Sequence, residues 1–237
     1  MIDIHCHIIP GVDDGPPDMS TSLAMAVQAA GDGITTVVAT PHIQSEHLSP
    51  DMIREQIRNL NERFSEAGIP LSVVAGGELA SFVPVSTMAG YSINGNGYVL
   101  LEFPHSHLPF TAKDTVEQIL RQGMQVIIAH PERNPSIIRS PEILVDMVES
   151  TGASVQITAN SLTGAFGPAV RSCAVQLLKK KVVTVIASDA HSAGTRKPIL
   201  SEGLKVAVKI AGQKAAEKMV TDNPRAIVLG LPVFRQR

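Results

Sequence analysis

The 237-residue chain has no tryptophan, two tyrosines and six phenylalanines. So few aromatic rings exclude a base-stacking platform for single-stranded nucleic acid. Basic charge is also scarce. Its 20 Lys and Arg residues face 22 Asp and Glu, a formal charge of -2. No cationic excess is left to neutralise a phosphate backbone, which excludes a dedicated DNA or RNA binder. The two cysteines, Cys6 and Cys173, are too few for a disulfide framework or a four-cysteine zinc site. Long apolar runs are missing as well. The two longest uncharged stretches, Leu79 to Leu101 and Ser150 to Val170, are rich in Ser, Thr, Gly and Asn, and each contains a proline. Neither reads as a membrane span, so no membrane insertion is expected. The first residues show no basic n-region and no apolar h-region, and the expected location is the cytoplasm.

What is present points to a well-packed α/β protein. Apolar residues make up 44% of the chain and charged residues 18%, which excludes intrinsic disorder. Short β-branched runs recur at Ile2–Ile4, Ile34–Ala39, Leu71–Ala75, Tyr98–Leu101, Gln125–Ala129, Ser154–Ile157 and Val182–Ala187. Several are continuously apolar, as in parallel strands covered on both faces. Helical stripes separate most of them, for example Ile53, Ile57, Leu60 and Phe64. A capping box is expected at Thr111 and Asp114, ahead of a stripe of Val116, Ile119 and Leu120. Between Ala80 and Gly97 no clear helix is legible. Seven strands alternating with helices predict a parallel sheet with right-handed crossovers. No linker divides the chain, so residues 1–237 are expected to form a single domain.

The polar residues favour closure of that sheet into a barrel. His5, His7, His42, His130 and His191 lie at or just after predicted strand ends, and His105 and His107 follow a strand by a few residues. Asp14, Glu78, Glu102 and Asp189 fall in similar places, and the sixth strand delivers Gln156 and Asn160. In a β/α barrel the strand C-termini converge on one face, whereas in an open sheet the outer ends would be too far apart to share a site. Side chains alternate along a strand, so His5 and His7 share one face and Cys6 takes the other. Asp189-Ala190-His191 repeats that spacing with a hard oxygen ligand. Each element alone also fits a blander role. Turn aspartates such as Asp13 and Asp14 commonly cap or solubilise. A lone His42 fits a loop, and Glu78 fits a solvated one. Together, six imidazoles and three carboxylates exceed the roughly four ligands of a tetrahedral zinc and suit two or three cations. Nitrogen and oxygen donors without thiolate suit Mn, Fe or Zn. Arg133, three residues after His130, and Arg196, in the loop after His191, suit bidentate phosphate recognition.

The ordered set His5-x-His7, Asp14, Thr40-Pro41-His42, Glu78, His107, His130-Pro131-Glu132-Arg133 and Ser188-Asp189-Ala190-His191 resembles the PHP (polymerase and histidinol phosphatase) superfamily. MIDIHCHIIPGVDDGP, ATPHI, AHPERN, QITANSLTGAFG and ASDAH resemble its CpsB/CapC/YwqE branch of bacterial metal-dependent protein-tyrosine phosphatases, from Met1 to about Leu231. The resemblance implies a distorted seven-stranded (β/α) TIM-like barrel holding three divalent metals, usually manganese, with iron or zinc as alternatives. By matching positions it implies nine ligands: His5, His7, Asp14, His42, Glu78, His107, His130, Asp189 and His191. The ninth-ligand segment also offers His105; His107 is chosen because it stands two residues before Pro109. Arg133 and Arg196 match phosphate-binding, catalytic arginines, and Asp189 or a metal-bound water is available as a general acid. The implied reaction is phosphotyrosine hydrolysis by metal-activated hydroxide, on a protein substrate such as the tyrosine kinase of a capsular or exopolysaccharide locus. A cysteine-dependent mechanism needs an arginine six positions after the thiol; those positions hold Val12 and Lys179. Other readings are a PHP phosphoesterase acting on histidinol phosphate, a TatD- or amidohydrolase-like metal hydrolase, and a noncatalytic module.

Overall fold

The computed structural model describes residues 1–45 and 47–233. Nine short strands form two parallel sheets. The first sheet has the order β1 (Ile2–Cys6), β2 (Thr36–Ala39), β4 (Ser72–Ala75). The second has the order β3 (His42–Ile43), β5 (Glu78–Ala80), β6 (Tyr98–Glu102), β7 (Gln125–Ala129), β8 (Ser154–Thr158), β9 (Val185–Ala187). The expectation of seven strands is therefore corrected to nine among the described residues, because two further short strands, β3 and β5, follow the expected ends at Ala39 and Ala75. Thr40-Pro41 separates β2 from β3, and Gly76-Gly77 separates β4 from β5. Proline has no N–H to give to a ladder. At the second break the chains pass too closely for a side chain: a Cβ on Gly76 would meet Val38 Cγ1 at 2.7 Å, and one on Gly77 would meet Ile43 Cγ1 at 2.8 Å.

The strands are buried on both faces, which explains their unbroken apolar character. One core cluster gathers Ile2, Ile4, Val38, Leu100, Ile127, Val185 and Ala187. A larger one takes the intervening positions, such as Val37, Val99, Leu101, Val126, Ile128 and Ile186, and packs them on the helices. The register of β1 on β2 shifts between Asp3 and Cys6. Ile2 and Ile4 consequently belong to one cluster and Cys6 to the other.

Helices fill most of the connections. The helix Pro50–Glu66 starts on Ser49, whose side chain accepts from the Met52 N–H, and it buries Ile53, Ile57, Leu60 and Phe64. Burying each such side chain contributes about 1.5–3 kcal/mol. The capping box at Thr111 does not form: the helix Ala112–Arg121 has no side-chain cap bond there. The stretch from Ala80 to Gly97 holds a four-residue helix, Val85–Met88, and two 3-10 turns. The far edges of the two sheets also touch. Cys6 bridges Ala190 in parallel, the His7 N–H donates to the Ala190 carbonyl at 2.8 Å, and the Asp189 N–H donates to the His5 carbonyl at 2.8 Å. Among the described residues no helix is long and apolar enough to cross a membrane.

Candidate metal centre

The strand ends deliver the polar residues to one place. His5 lies at the end of β1 and His7 just after it, both beside the chain that follows β9. His42 opens β3, Glu78 opens β5 and Glu102 closes β6. His130 and Asp189 each leave a strand in the left-handed region, at φ 30° and 51°. Non-glycine residues seldom adopt that conformation, and surrounding structure must hold them there. For Asp189 the anchor is its N–H bond to His5. His130 is held by its N–H, which donates to Gln156 Oε1 at 3.4 Å, and by its ring, whose Nε2 pairs with Glu78 Oε1.

Glu78 sits at the centre. Its Oε1 lies 2.8 Å from His130 Nε2. Its Oε2 lies 3.0 Å from His42 Nδ1 and 3.3 Å from Nε2 of both His5 and His7. Asp189 Oδ1 lies 3.4 Å from His5 Nε2 and 3.6 Å from His7 Nε2. Asp14 Oδ1 lies 3.4 Å from His42 Nε2 and 3.2 Å from His191 Nε2. Four overlapping sets result: His7, Asp14, His42, His191; His5, His7, Asp189; His5, Glu78, His130; and His42, Glu78, Glu102. Within each set the donor atoms lie within 4.8 Å of one another.

These atoms do not satisfy one another. Nε2 of His5 and Nε2 of His7 are 3.3 Å apart, and two neutral imidazoles can share one proton there at most. Glu78 Oε2, His42 Nδ1 and His191 Nε2 are buried without a hydrogen bond. Such orphaned atoms are costly, and a divalent cation would satisfy several at once. The donor set is all nitrogen and oxygen, so the residues fit Mn, Fe or Zn. The ring orientation is fixed from behind. His5 Nδ1 pairs with Gln156 Oε1 at 2.9 Å, and His7 Nδ1 with Asp13 Oδ2 at 2.7 Å. Both rings thereby turn Nε2 inward, the arrangement by which outer partners orient metal-binding histidines.

The charges record the same crowding. Burial disfavours a charged His5, yet Glu78 and Asp189 beside it raise its pKa to about 10. His42 rises to about 9: burial opposes the charge and Glu78 outweighs it. His191 falls to about 4 through burial and the neighbouring His7. Burial works against ionised Glu78 and Asp189, but His5 first and other imidazoles hold both well below the usual carboxylate range. The two arginines meet on one oxygen. Arg133 Nη1 donates to Asp189 Oδ2, and Arg196 Nη2 lies 2.7 Å from it. Their side chains are 17% and 26% exposed, although Arg196 Nε itself is buried.

Eight of the nine expected ligands are thus brought together. His107 is not among them: it is exposed and pairs with Ser106 Oγ at 2.9 Å. His105, also exposed, lies against that set. Its ring stacks on His130 at 5.8 Å, and its Nε2 lies 3.1 Å from Glu102 Oε1. Asp13 is the residue that sequence reasoning passed over. It accepts from the Gly15 and His42 N–H groups besides holding His7. The signal was Gly15, where a Cβ would meet the His7 carbonyl oxygen at 2.6 Å. The turn is pressed against His7 and is no solvated loop.

Comparison with known proteins agrees over nearly the whole chain. The model of the family "Capsular polysaccharide synthesis, CpsB/CapC" matches residues 1–229. The tyrosine-protein phosphatase YwqE of Bacillus subtilis (strain 168) is 37% identical over 242 residues, spanning 100% of this chain and 94% of the relative. A putative tyrosine-protein phosphatase CapC of Staphylococcus aureus is 33% identical over 209 residues, 85% of this chain and 81% of that one. Among solved structures, one described with YwqE from Bacillus subtilis and CpsB from Streptococcus pneumoniae as unique metal-dependent tyrosine phosphatases superposes with TM-score 0.93 at 36% identity. It covers 100% of this chain and 97% of the other.

Proposed function

This chain belongs to the CpsB/CapC capsular polysaccharide synthesis family, and from that premise we propose that it is a metal-dependent protein-tyrosine phosphatase. The observation that carries the proposal is Glu78 at the junction of imidazoles from three strands, with Arg133 and Arg196 both reaching Asp189 beside it. Residues 1–237 act as a single domain. We read the two sheets as one distorted barrel, with β2 continuing into β3 and β4 into β5. The Cys6–Ala190 bridge, which brings the two remaining edges together, supports that reading.

His5, His7, Asp14, His42, Glu78, His130, Asp189 and His191 would hold up to three cations, manganese first, with His105 in place of His107 as the ninth ligand. Bound divalent ions supply Lewis acidity toward phosphoryl oxygens and lower the pKa of water. The protein's own residues do the rest. Arg133 and Arg196 exchange part of their hold on Asp189 for the nonbridging oxygens of the phosphate, and they stabilise charge as it redistributes. Asp189 is kept ionised by burial-opposing contacts with His5 and His130, so it anchors the arginines and has no proton to give. A phenol leaving group, with pKa about 10, needs less protonation than an alkyl alcohol. Neither cysteine takes part, since both are buried.

The substrate in this reading is a phosphotyrosine protein in trans, such as the cytoplasmic tyrosine kinase of a polysaccharide locus. A panel of phosphotyrosine peptide, histidinol phosphate, a dihydroorotate-like amide and single-stranded DNA, each with Mn²⁺ and with chelator, tests the proposal. Turnover confined to phosphotyrosine peptide with Mn²⁺ supports it, and preference for another substrate overturns it.

A further inference from the structure

The motif that the metal centre leaves unused is TANSLTGAFG, residues 158–167. After β8 the chain makes a short helix, Ala159–Thr163, which ends at Gly164 with φ 92°. Gly167 also has φ 92°. Glycine is the residue suited to that conformation. Phe166 is held between these two glycines, and it is only partly buried. Its ring lies over Arg133, with the guanidinium carbon 4.7 Å from the ring centroid.

The two residues are mounted on a common frame. Buried Glu132, next to Arg133, accepts from the Thr158 N–H at 2.9 Å and from Ser161 Oγ at 2.6 Å. These bonds tie the turn carrying Arg133 to the helix that leads to Phe166. Arg171 Nε donates to the Leu162 carbonyl at 3.1 Å and secures the same helix from the other side. The other aromatic residues among those described are placed differently. Phe64 and Phe103 are core residues, and Tyr91 and Tyr98 are buried with their hydroxyls bonded to backbone carbonyls. Among the described residues, Phe166 is the aromatic side chain lying against an arginine of the candidate site.

Resting on the phosphatase reading, we propose that Phe166 is the specificity-determining residue that favours an aromatic phosphomonoester over an alkyl one. An aryl phosphate carries its ring one bond from the ester oxygen. A phosphate gripped by Arg133 therefore brings that ring beside the same guanidinium that Phe166 covers. Aromatic rings pair favourably with centroids about 4.5–7 Å apart, a range that a substrate ring reaches edge-on to Phe166, on the side of the guanidinium that Phe166 covers. A phosphoserine brings no ring to the contact. The same stacking holds Arg133 in place, since an arginine over a ring face is attracted to it.

The test uses manganese-loaded full-length protein and two competitive inhibitors, methylphosphonate and phenylphosphonate. Phosphotyrosine-peptide turnover is the assay, and metal content and Tm are the controls. The ratio of the two inhibition constants measures the preference for a ring. In Phe166→Ala and Phe166→Leu that ratio is expected to fall by roughly 3–10-fold, the scale of one lost aromatic pair. Phe166→Tyr is expected to keep it. The KM for phosphotyrosine peptide should rise more than kcat falls, because the ring contact exists before reaction. A folded, metal-replete Phe166→Leu with the wild-type ratio overturns the proposal. So does an equal loss of both inhibitors, which would make Phe166 a support for Arg133 alone. Those results leave the phosphatase reading intact, whereas a wild-type protein unable to hydrolyse phosphotyrosine peptide overturns both.

Discussion

Asp13 Oδ2 lies 2.7 Å from Nδ1 of His7, and this contact turns the far nitrogen of the ring toward His5, Glu78 and Asp189. A turn aspartate is thereby an outer support of the metal centre. His7 lowers the Asp13 pKa to about 2 although burial acts in the opposite direction. Asp13→Ala should weaken Mn²⁺ binding by about 10–100-fold, the usual cost of losing such a partner. Asp13→Asn, which keeps an acceptor oxygen, should lose less. Titration calorimetry checks both, and wild-type affinity in Asp13→Ala would remove Asp13 from this role.

Arg133 donates to Asp189 and is no candidate ligand. Arg133→Ala should keep its metals and lose turnover by roughly 10²–10³, the scale of one preorganised donor to a developing charge. Arg133→Lys should recover only part of that, because an ammonium cannot form the bidentate fork. Elemental analysis together with kcat/KM separates the outcomes. Loss of metal with normal turnover in the remaining loaded enzyme would make Arg133 a scaffold residue.

The two histidines of the loop after β6 make opposite predictions. Both are exposed, but His105 stacks on His130 and reaches Glu102, while His107 pairs with Ser106. His105→Ala should lose metal and turnover together. His107→Ala should stay within a few-fold of wild type. The reverse pattern would restore His107 as the ninth ligand.

Cys6 is fully buried, and burial raises the Cys173 thiol to about 12. Neither should react with iodoacetamide in the folded protein at pH 8. Cys6→Ala and Cys173→Ala should each cost about 1–2 kcal/mol of stability and leave turnover per folded molecule nearly unchanged. Loss of turnover with metals retained would return a thiol to the chemistry.

Much of this was legible because strand ends and metal ligands coincide in the chain. The apolar runs located the strands, and the polar residues after them marked the candidate site. The strands that resume after Pro41 and after Gly76-Gly77 were less visible, since β3 and β5 depend on the pairing of His42 with Glu78 and of Ile43 with Leu79. The role of Asp13 and the choice between His105 and His107 were hidden for a related reason. Asp13 and His105 are each placed by a turn whose direction is set by tertiary contact with His7 or His130, and spacing alone does not encode that direction. The left-handed backbone of His130 and Asp189 was hidden too, because neither residue type demands it.

The central claim is that cations held around Glu78 enable phosphotyrosine hydrolysis. The direct measurement strips the purified protein with a chelator, removes the chelator, and follows phosphotyrosine-peptide turnover as Mn²⁺ is titrated back, with bound metal determined in the same samples. Turnover should be absent from the stripped protein and rise with bound Mn²⁺ in the wild type, and Glu78→Gln should neither bind the full complement nor recover. Undiminished turnover in the stripped protein, or full recovery in Glu78→Gln, would contradict the account.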